Sequence, residues 1–478
     1  VQKCNVTTPI TGCCYWTGNM TDSPFCTDKS FVALRSNDTA DYAPYMINPP
    51  DTMGAVGPSH FVANVQHVVA VFSKTSGALQ EWTDTATFFG ASVPADPRII
   101  YDQQCQRWIA CIADKADQNR NVRLAVSRSS DPSGLTTNWD KYTLPVAEPG
   151  YYPDFPTLGV DANGIYIVVH LYKPLINPTN WMQKVVAIKK QENCPVINPS
   201  DIHVLANLYS PYIWFVIQPA VNFDAVAADG IAWFVGKGQG QPGPIQYGRL
   251  KWISGTPQFL ENPWNNSLSA PQSYFDLDNN FSFPAPQQPY GGNNQSITYL
   301  TGSRFMMAAV RNGYLWTCQH VGLNSQGGYS GEPQSALRTA CQWLKLQINA
   351  NNTLTTYDHG RVYDSAASSP YFYYFPSLMV NSAGDMAMGF SGSRDTEHIG
   401  AFYTGRRAND PRGQMQTVQM IQAGRSYFDF NRWGDYSYTS LDPNDGLSFW
   451  TIQQYAETPI PGNSQMYGLW VTRIVKNP

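Results

Sequence analysis

Apolar positions along this chain fall in short runs, each closed by Gly, Asp or Asn and followed by a second run of similar length. The clearest unit is Phe155-Pro156-Thr157-Leu158-Gly159-Val160-Asp161-Ala162-Asn163-Gly164. It returns as Phe375-Pro376-Ser377-Leu378-Met379-Val380-Asn381-Ser382-Ala383-Gly384. A looser copy, with one extra turn residue, runs from Asp435 to Gly446 through Asp442-Pro443-Asn444-Asp445. The second runs are Ile165 to His170, Met386 to Phe390 and Leu447 to Ile452. Run, Asx-Gly turn and run predict a β-hairpin. A hairpin cannot bury both faces alone, so its repetition implies a stack of like units.

Weaker copies lie at Met53 to His67, Pro97 to Ile112, Pro219 to Val235 and Arg304 to Cys318, the last turning at Asn312-Gly313. Seven hairpins, most followed by a further strand pair, predict an all-β fold: a seven-bladed β-propeller of four-stranded antiparallel blades. The last hairpin is followed by one strand only, Tyr467 to Val475. Its missing partner is expected to be Phe31 to Arg35, closing the ring and covering a sheet edge. The expected organisation is a Cys-containing segment over 1–50 and the propeller over 51–478.

Composition narrows the function. The 478 residues carry a net charge of −4 without basic clusters, which argues against nucleic acid. No apolar run approaches the roughly 18 residues of a membrane span. Four of nine Cys lie at the N-terminus (Cys4, Cys13, Cys14, Cys26), a density that predicts at least one bridge among them. Cys318 and Cys341, on neighbouring strands, are expected to form another, and Cys111 to remain a buried free thiol. Glycosylation acceptors occur at Asn5, Asn19, Asn37, Asn265, Asn280, Asn294 and Asn351. Together these predict a secreted, monomeric glycoprotein, with a signal segment lost before Val1.

Chain direction selects the working face. Residues just before each first strand and just after each second strand share one rim of the central channel. That rim carries Asp51, Asp96, Arg98, Tyr152, Asp154, Arg304, Tyr374, Arg432, Trp433, Asp435 and Tyr436 from strand starts. From strand ends it carries Gln66, His67, Lys115, His170 and His320. Each has a plainer reading. Asp435 beside Tyr436, echoed by Asp154 beside Phe155, fits a carboxylate that caps backbone donors. His170 and His320 fit hydrogen-bonded channel filling, and Arg98, Arg304 and Arg432 converge only if the blades align as expected.

Two segments, Ser129 to Trp139 and Ser440 to Trp450, are similar to degenerate Asp-boxes. Asp96-Pro97-Arg98, Tyr152-Pro153-Asp154-Phe155-Pro156-Thr157-Leu158 and Arg432-Trp433-Gly434-Asp435-Tyr436-Ser437 resemble secreted sialidase-like propeller proteins. That resemblance, over most of 50–478, implies a carbohydrate-active propeller: a sialidase, another glycoside hydrolase or a glucuronate-targeting lyase. A sialidase needs a Tyr–Glu pair, and only Glu148, Glu397 and Glu457 present themselves, in loops. The rim's surplus of Arg, His and Tyr favours β-elimination next to a uronate in an acidic polysaccharide. His67, His170 or His320 is then the base and Tyr152, Tyr374 or Tyr436 the proton donor. Arg98, Arg304 or Arg432 clamps the carboxylate, with Asp154, Asp435 and Trp433 also contacting sugar. A glycoside hydrolase using Asp51, Asp96, Asp154 and Asp435 is the alternative, and a non-catalytic glycan-binding surface is another. No cofactor is required. Asp276-Leu277-Asp278-Asn279-Asn280 offers oxygens to a structural calcium ion, or is simply an exposed polar loop.

Overall fold

The computed structural model describes residues 25–36, 49–116, 120–173, 182–191, 194, 197–205, 213–226, 230–240, 242–261, 265–277, 285–287, 296–297, 300–329 and 338–476. Within them the chain is almost wholly β, and no helix is long and apolar enough to cross a membrane.

The N-terminal strand is β1 (Phe25–Arg35). A first meander comprises β2 (Gly54–Val56), β3 (His60–Asn64), β4 (Val68–Ser73) and β5 (Leu79–Asp84), followed by the one-turn helix α1 (Thr85–Phe89). The second comprises β6 (Pro94–Asp102), β7 (Arg107–Asp114), β8 (Asn121–Ser127) and β9 (Trp139–Leu144). The third comprises β10 (Tyr152–Val160), β11 (Gly164–Tyr172), β12 (Met182–Lys189) and β13 (Ile202–Leu205). The fourth contains β14 (Ile213–Pro219), which runs on into the two-residue β15 (Val221–Asn222), then β16 (Ile231–Gly238), β17 (Ile245–Ile253), β18 (Thr256–Phe259) and β19 (Asn266–Leu268). The fifth comprises β20 (Met307–Arg311), β21 (Tyr314–Leu323), β22 (Arg338–Ile348) and β23 (Leu354–Val362). The sixth comprises β24 (Phe372–Val380), β25 (Met386–Arg394), β26 (Glu397–Arg406) and β27 (Gln419–Gln422). The last comprises β28 (Tyr438–Leu441), β29 (Phe449–Ala456) and β30 (Tyr467–Lys476).

This is a propeller arrangement of small antiparallel sheets. Each innermost strand packs on the next: β2 on β6, β6 on β10, β10 on β14, β14 on β20, β20 on β24, β24 on β28, and β28 back on β2. Hydrogen bonding nonetheless divides the described strands into six sheets. The third and fifth meanders merge because β15 pairs in parallel with both β10 and β20. The approach there is close: a Cβ on Gly159 would lie 2.6 Å from the Pro219 carbonyl oxygen, so only glycine fits.

The expected pairing of the N-terminal strand with the last one is present. β1 runs antiparallel to β30, with Phe31 opposite Val471 and Arg35 opposite Gly468. The Phe31 ring also lies 5.4 Å from that of Phe72, tilted at 40°, so β1 touches the first meander as well as the last.

The recurring phrase has a local physical cause. The Asp161 carboxylate accepts the N–H groups of Asn163 (2.7 Å) and Gly164 (2.8 Å), closing an Asx-turn. Asn381 does the same for Ala383 and Asp385, and Asp442 for Asn444. At the opposite end the phrase opens on a bulge. The register breaks between Asp154 and Thr157 and between Tyr374 and Ser377, and the second meander breaks likewise between Ala95 and Arg98. Phe155 (φ 45), Phe375 (φ 52) and Asp96 (φ 58), each followed by Pro, sit there in the left-handed region. Such strain persists only where the surroundings enforce it, and here it re-aims side chains around the channel mouth.

The cysteines correct one expectation. Cys318 and Cys341 are buried free thiols rather than a bridge. Cys318 faces Trp343 and Cys341 faces His320, so the two are offset diagonally, and the Cys318 thiol donates to the Pro376 carbonyl (3.5 Å) instead. Cys111 is the expected free thiol, burial pushing it up to about 12. A disulfide that the spacing did not suggest joins Cys105 in the β6–β7 turn to Cys194 after β12. Cys4, Cys13 and Cys14 lie outside the described residues, as do the acceptors Asn5, Asn19, Asn37, Asn280 and Asn294; Asn265 and Asn351 are exposed.

Candidate functional site

Four carboxylates meet at one mouth of the channel, Asp96 and Asp154 from the bulges and Asp51 and Asp435 from just ahead of β2 and β28. Lys115, just past β7, places its Nζ 3.2 Å from Asp96 Oδ2 and 2.6 Å from Asp154 Oδ1. Asp96 Oδ2 also accepts the Phe155 N–H (3.0 Å), and Gln66 Oε1 accepts the Asp96 N–H (3.0 Å). Asp51, Asp96 and Asp435, all buried, bring carboxylate oxygens within 4.8 Å of one another. One oxygen each of Asp51 and Asp435 is buried without a hydrogen-bond partner. This spacing suits a single cation, and Lys115 and Arg432 already supply positive charge to the group.

Their protonation is pulled apart. Burial, then repulsion from Asp96, raises Asp154 to about 6. Burial also acts to raise Asp96, but Lys115, the Phe155 N–H and Asp154 outweigh it and hold that carboxyl low. Burial, followed by Asp435 and Asp96, lifts Asp51 well above the carboxylate range, and burial lifts Asp435 against the pull of Arg432. Lys115 is raised: its two carboxylates overcome the effect of burial.

The three arginines do converge. The Arg98 guanidinium lies 3.4 Å over the Tyr436 ring and 4.9 Å from that of Phe155, while Arg304 lies 5.3 Å from Phe155. Arg432 donates to Asp435 (2.6 Å). Arg98 is buried and its Nε donates to the Pro156 carbonyl (2.7 Å), so it braces the neighbouring bulge. Arg432 is the most open of the three, with 37% of its side chain exposed.

The histidines and tyrosines play other parts. His320 is buried, accepting the Phe375 N–H at Nδ1 (3.0 Å) and placing Nε2 2.6 Å from the Gly302 carbonyl, which fixes Nε2 as the protonated nitrogen. Both nitrogens thus brace the left-handed residues Phe375 and Gly302. His170, opposite Asp154 on β11, is fully buried; burial and then Arg304 lower it to about 3. His67, half-buried in the β3–β4 turn, is also lowered by burial. Tyr436 donates to the Pro97 carbonyl (3.0 Å), and Tyr374 shares a hydrogen bond with Ser393 (2.8 Å); burial raises both phenols. Trp433 is buried against Phe428 and donates to Ser391. Tyr152, at the mouth, accepts a hydrogen bond from Arg120 (2.7 Å).

Glu397 and Glu457 do meet phenols. Tyr371 donates to Glu397, and Tyr455 to Glu457 (2.6 Å). Both tyrosines are raised, first by burial and then by the carboxylate, the reverse of an activated nucleophile. Asp276 is taken up by buried Lys237, and residues 278–280 of the expected calcium loop lie outside the described residues. Asp96 was legible as a carboxylate of the hydrolase alternative, and Lys115 only as a member of the rim. Their pairing with Asp154 spans two meanders and has no sequence signal, and Arg120 and Tyr172 had none.

Fold and mouth together define an all-β propeller protein with a buried, charge-dense channel entrance. No family model and no curated protein sequence matches the chain. Among solved structures it is similar to Trypanosoma rangeli sialidase in complex with sialic acid, at 12% identity and a TM-score of 0.38, over 88% of this chain and 59% of that one. The chain therefore spans less than two thirds of that sialidase. It is also similar to the Hadza microbial sialidase Hz136 (13%, TM-score 0.39, 89% and 74% covered). A third is the α-L-arabinofuranosidase Arb93A from Fusarium graminearum (8%, TM-score 0.39, 89% and 94% covered).

Proposed function

We propose that this chain is a glycoside hydrolase acting on acidic glycans, with Asp154 as general acid and Asp96 as the ionised carboxylate. The observation that carries the reading is the sharing of one ammonium, Lys115, by two carboxyls whose protonation is pushed in opposite directions. Such a split supports Asp154 as the acid and Asp96 as its ionised partner. Sharing one ammonium at 3.2 and 2.6 Å holds the two carboxyls side by side, closer than the roughly 6.5–9.5 Å at which an inverting pair admits a water. Asp154, protonated, donates to the glycosidic oxygen while Asp96 faces the anomeric carbon. Arg432, at the open edge, supports an acidic substrate.

Elimination is less well supported, because His320 commits both ring nitrogens and His170 is buried. The cyclic inner-strand packing supports a seven-bladed ring latched by β1, and the Cys105–Cys194 bridge supports secretion. The test is incubation with glucuronate-bearing plant gum. Release of reducing sugar without the ultraviolet absorbance of an unsaturated uronate supports hydrolysis. Appearance of that chromophore overturns it in favour of the lyase, and binding without product leaves a lectin.

A further inference from the structure

Strand alternation places Tyr152 and Asp154 on one face of β10, opposite Tyr172 and His170 of β11. The rings of Tyr152 and Tyr172 stack with centroids 5.7 Å apart at 30°, one step outward from the carboxylate pair. Both are half-buried rather than part of the sealed core. Arg120 lies 3.7 Å over the Tyr152 ring and donates to its Oη. Lys173, next after Tyr172, holds its ammonium 5.7 Å from the Tyr151 ring. With Arg120 over the Tyr152 face, Tyr172 supplies the aromatic surface and Tyr152 backs it; an aromatic ring with cations beside it suits the apolar face of a pyranose that carries a carboxylate.

We propose that Tyr152 and Tyr172, with Arg120 and Lys173, form a second sugar-binding site beside Asp154, taking an acidic sugar adjacent in the polymer to the bond that is cleaved. The proposal rests on the hydrolase reading for its register along the polymer, but its binding function stands separately. It makes the substrate an oligosaccharide or polymer rather than a single capped sugar, and Tyr172 a specificity-determining residue.

The test is calorimetric titration of the Asp154→Asn protein with the acidic oligosaccharide fraction of a glucuronate-bearing plant gum, with and without Tyr172→Ala. The expected result is affinity roughly ten-fold weaker in Tyr172→Ala, with Tyr172→Trp restoring it. The carboxyl-reduced form of the same fraction should bind more weakly, and removing Arg120 (Arg120→Gln) should erase that difference. An unchanged melting temperature in Tyr172→Ala confirms that binding, not folding, is read. Equal affinity with and without Tyr172→Ala, or no binding to either protein, overturns the proposal. If the unsubstituted protein releases no sugar while Tyr172→Ala still weakens binding, the hydrolase reading falls and this site stands.

Discussion

Lys115 Nζ lies 2.6 Å from Asp154 Oδ1, joining the loop after β7 in the second meander to the start of the third across the channel mouth. The same ammonium reaches Asp96, so a single cation bridges two carboxyls whose protonation is pulled in opposite directions.

Asp154 sets the pH response. Its folded value of about 6 lies above the unfolded value near 3.9. Between those values the native state binds the extra proton, so this group raises stability as pH falls from about 6 to about 4 and costs stability above 6. Activity should fall with a basic limb near pH 6, and Asp154→Asn should lower turnover roughly a hundred-fold or more. A pH–rate profile that is flat to pH 8 would remove Asp154 as the acid.

Replacing the bridging cation should be costly. Lys115→Met leaves two buried carboxyls facing each other, and the expected loss is about 3 kcal/mol at pH 7. Less should be lost at pH 4, where a proton substitutes for the ammonium. Denaturant titrations at the two pH values read the difference directly.

Arg98 is a bracing group more than a substrate clamp. Arg98→Ala removes the stack on Tyr436 and the bond to the Pro156 carbonyl, and should cost about 3 kcal/mol. Tyr436→Phe keeps the stack and loses one bond to Pro97, so about 1 kcal/mol is expected. Thermal melts that rank these two the other way would refute the bracing role.

Covalent state is checked by peptide mapping without reductant. The Cys105 and Cys194 peptides should appear linked, whereas Cys111, Cys318 and Cys341 should label only after denaturation. Removing the bridge (Cys105→Ala with Cys194→Ala) should cost roughly 2–5 kcal/mol.

The N-terminal strand should matter to the whole ring. Phe31→Ala loses contacts with both Phe61 and Phe72, and about 2 kcal/mol is expected. Because β1 covers the outer edge of β30, weakening it should also promote self-association, measurable by light scattering.

Hairpins, Asx-turns and the partner of the last strand were all readable from the residues, because alternation and turn chemistry act within a few positions of chain. Asp161, Asn381 and Asp442 close their turns by bonding backbone two or three residues on, whatever surrounds them. The strand from Phe31 to Arg35 declared itself as the one unpaired apolar run at the chain's start. The site was only half readable. Asp154, Asp435, Arg98, Arg304 and Arg432 gather at one rim as expected, whereas His320 braces a bulge and His170 lies buried. Lys115 meets Asp154, and Cys105 meets Cys194, only because neighbouring sheets pack at a particular angle and Asp96, Phe155 and Phe375 take left-handed backbone at the mouth. Those meetings depend on the summed packing of the ring. No local pattern of apolar and polar residues encodes them, so tertiary structure alone decided which charges share a proton.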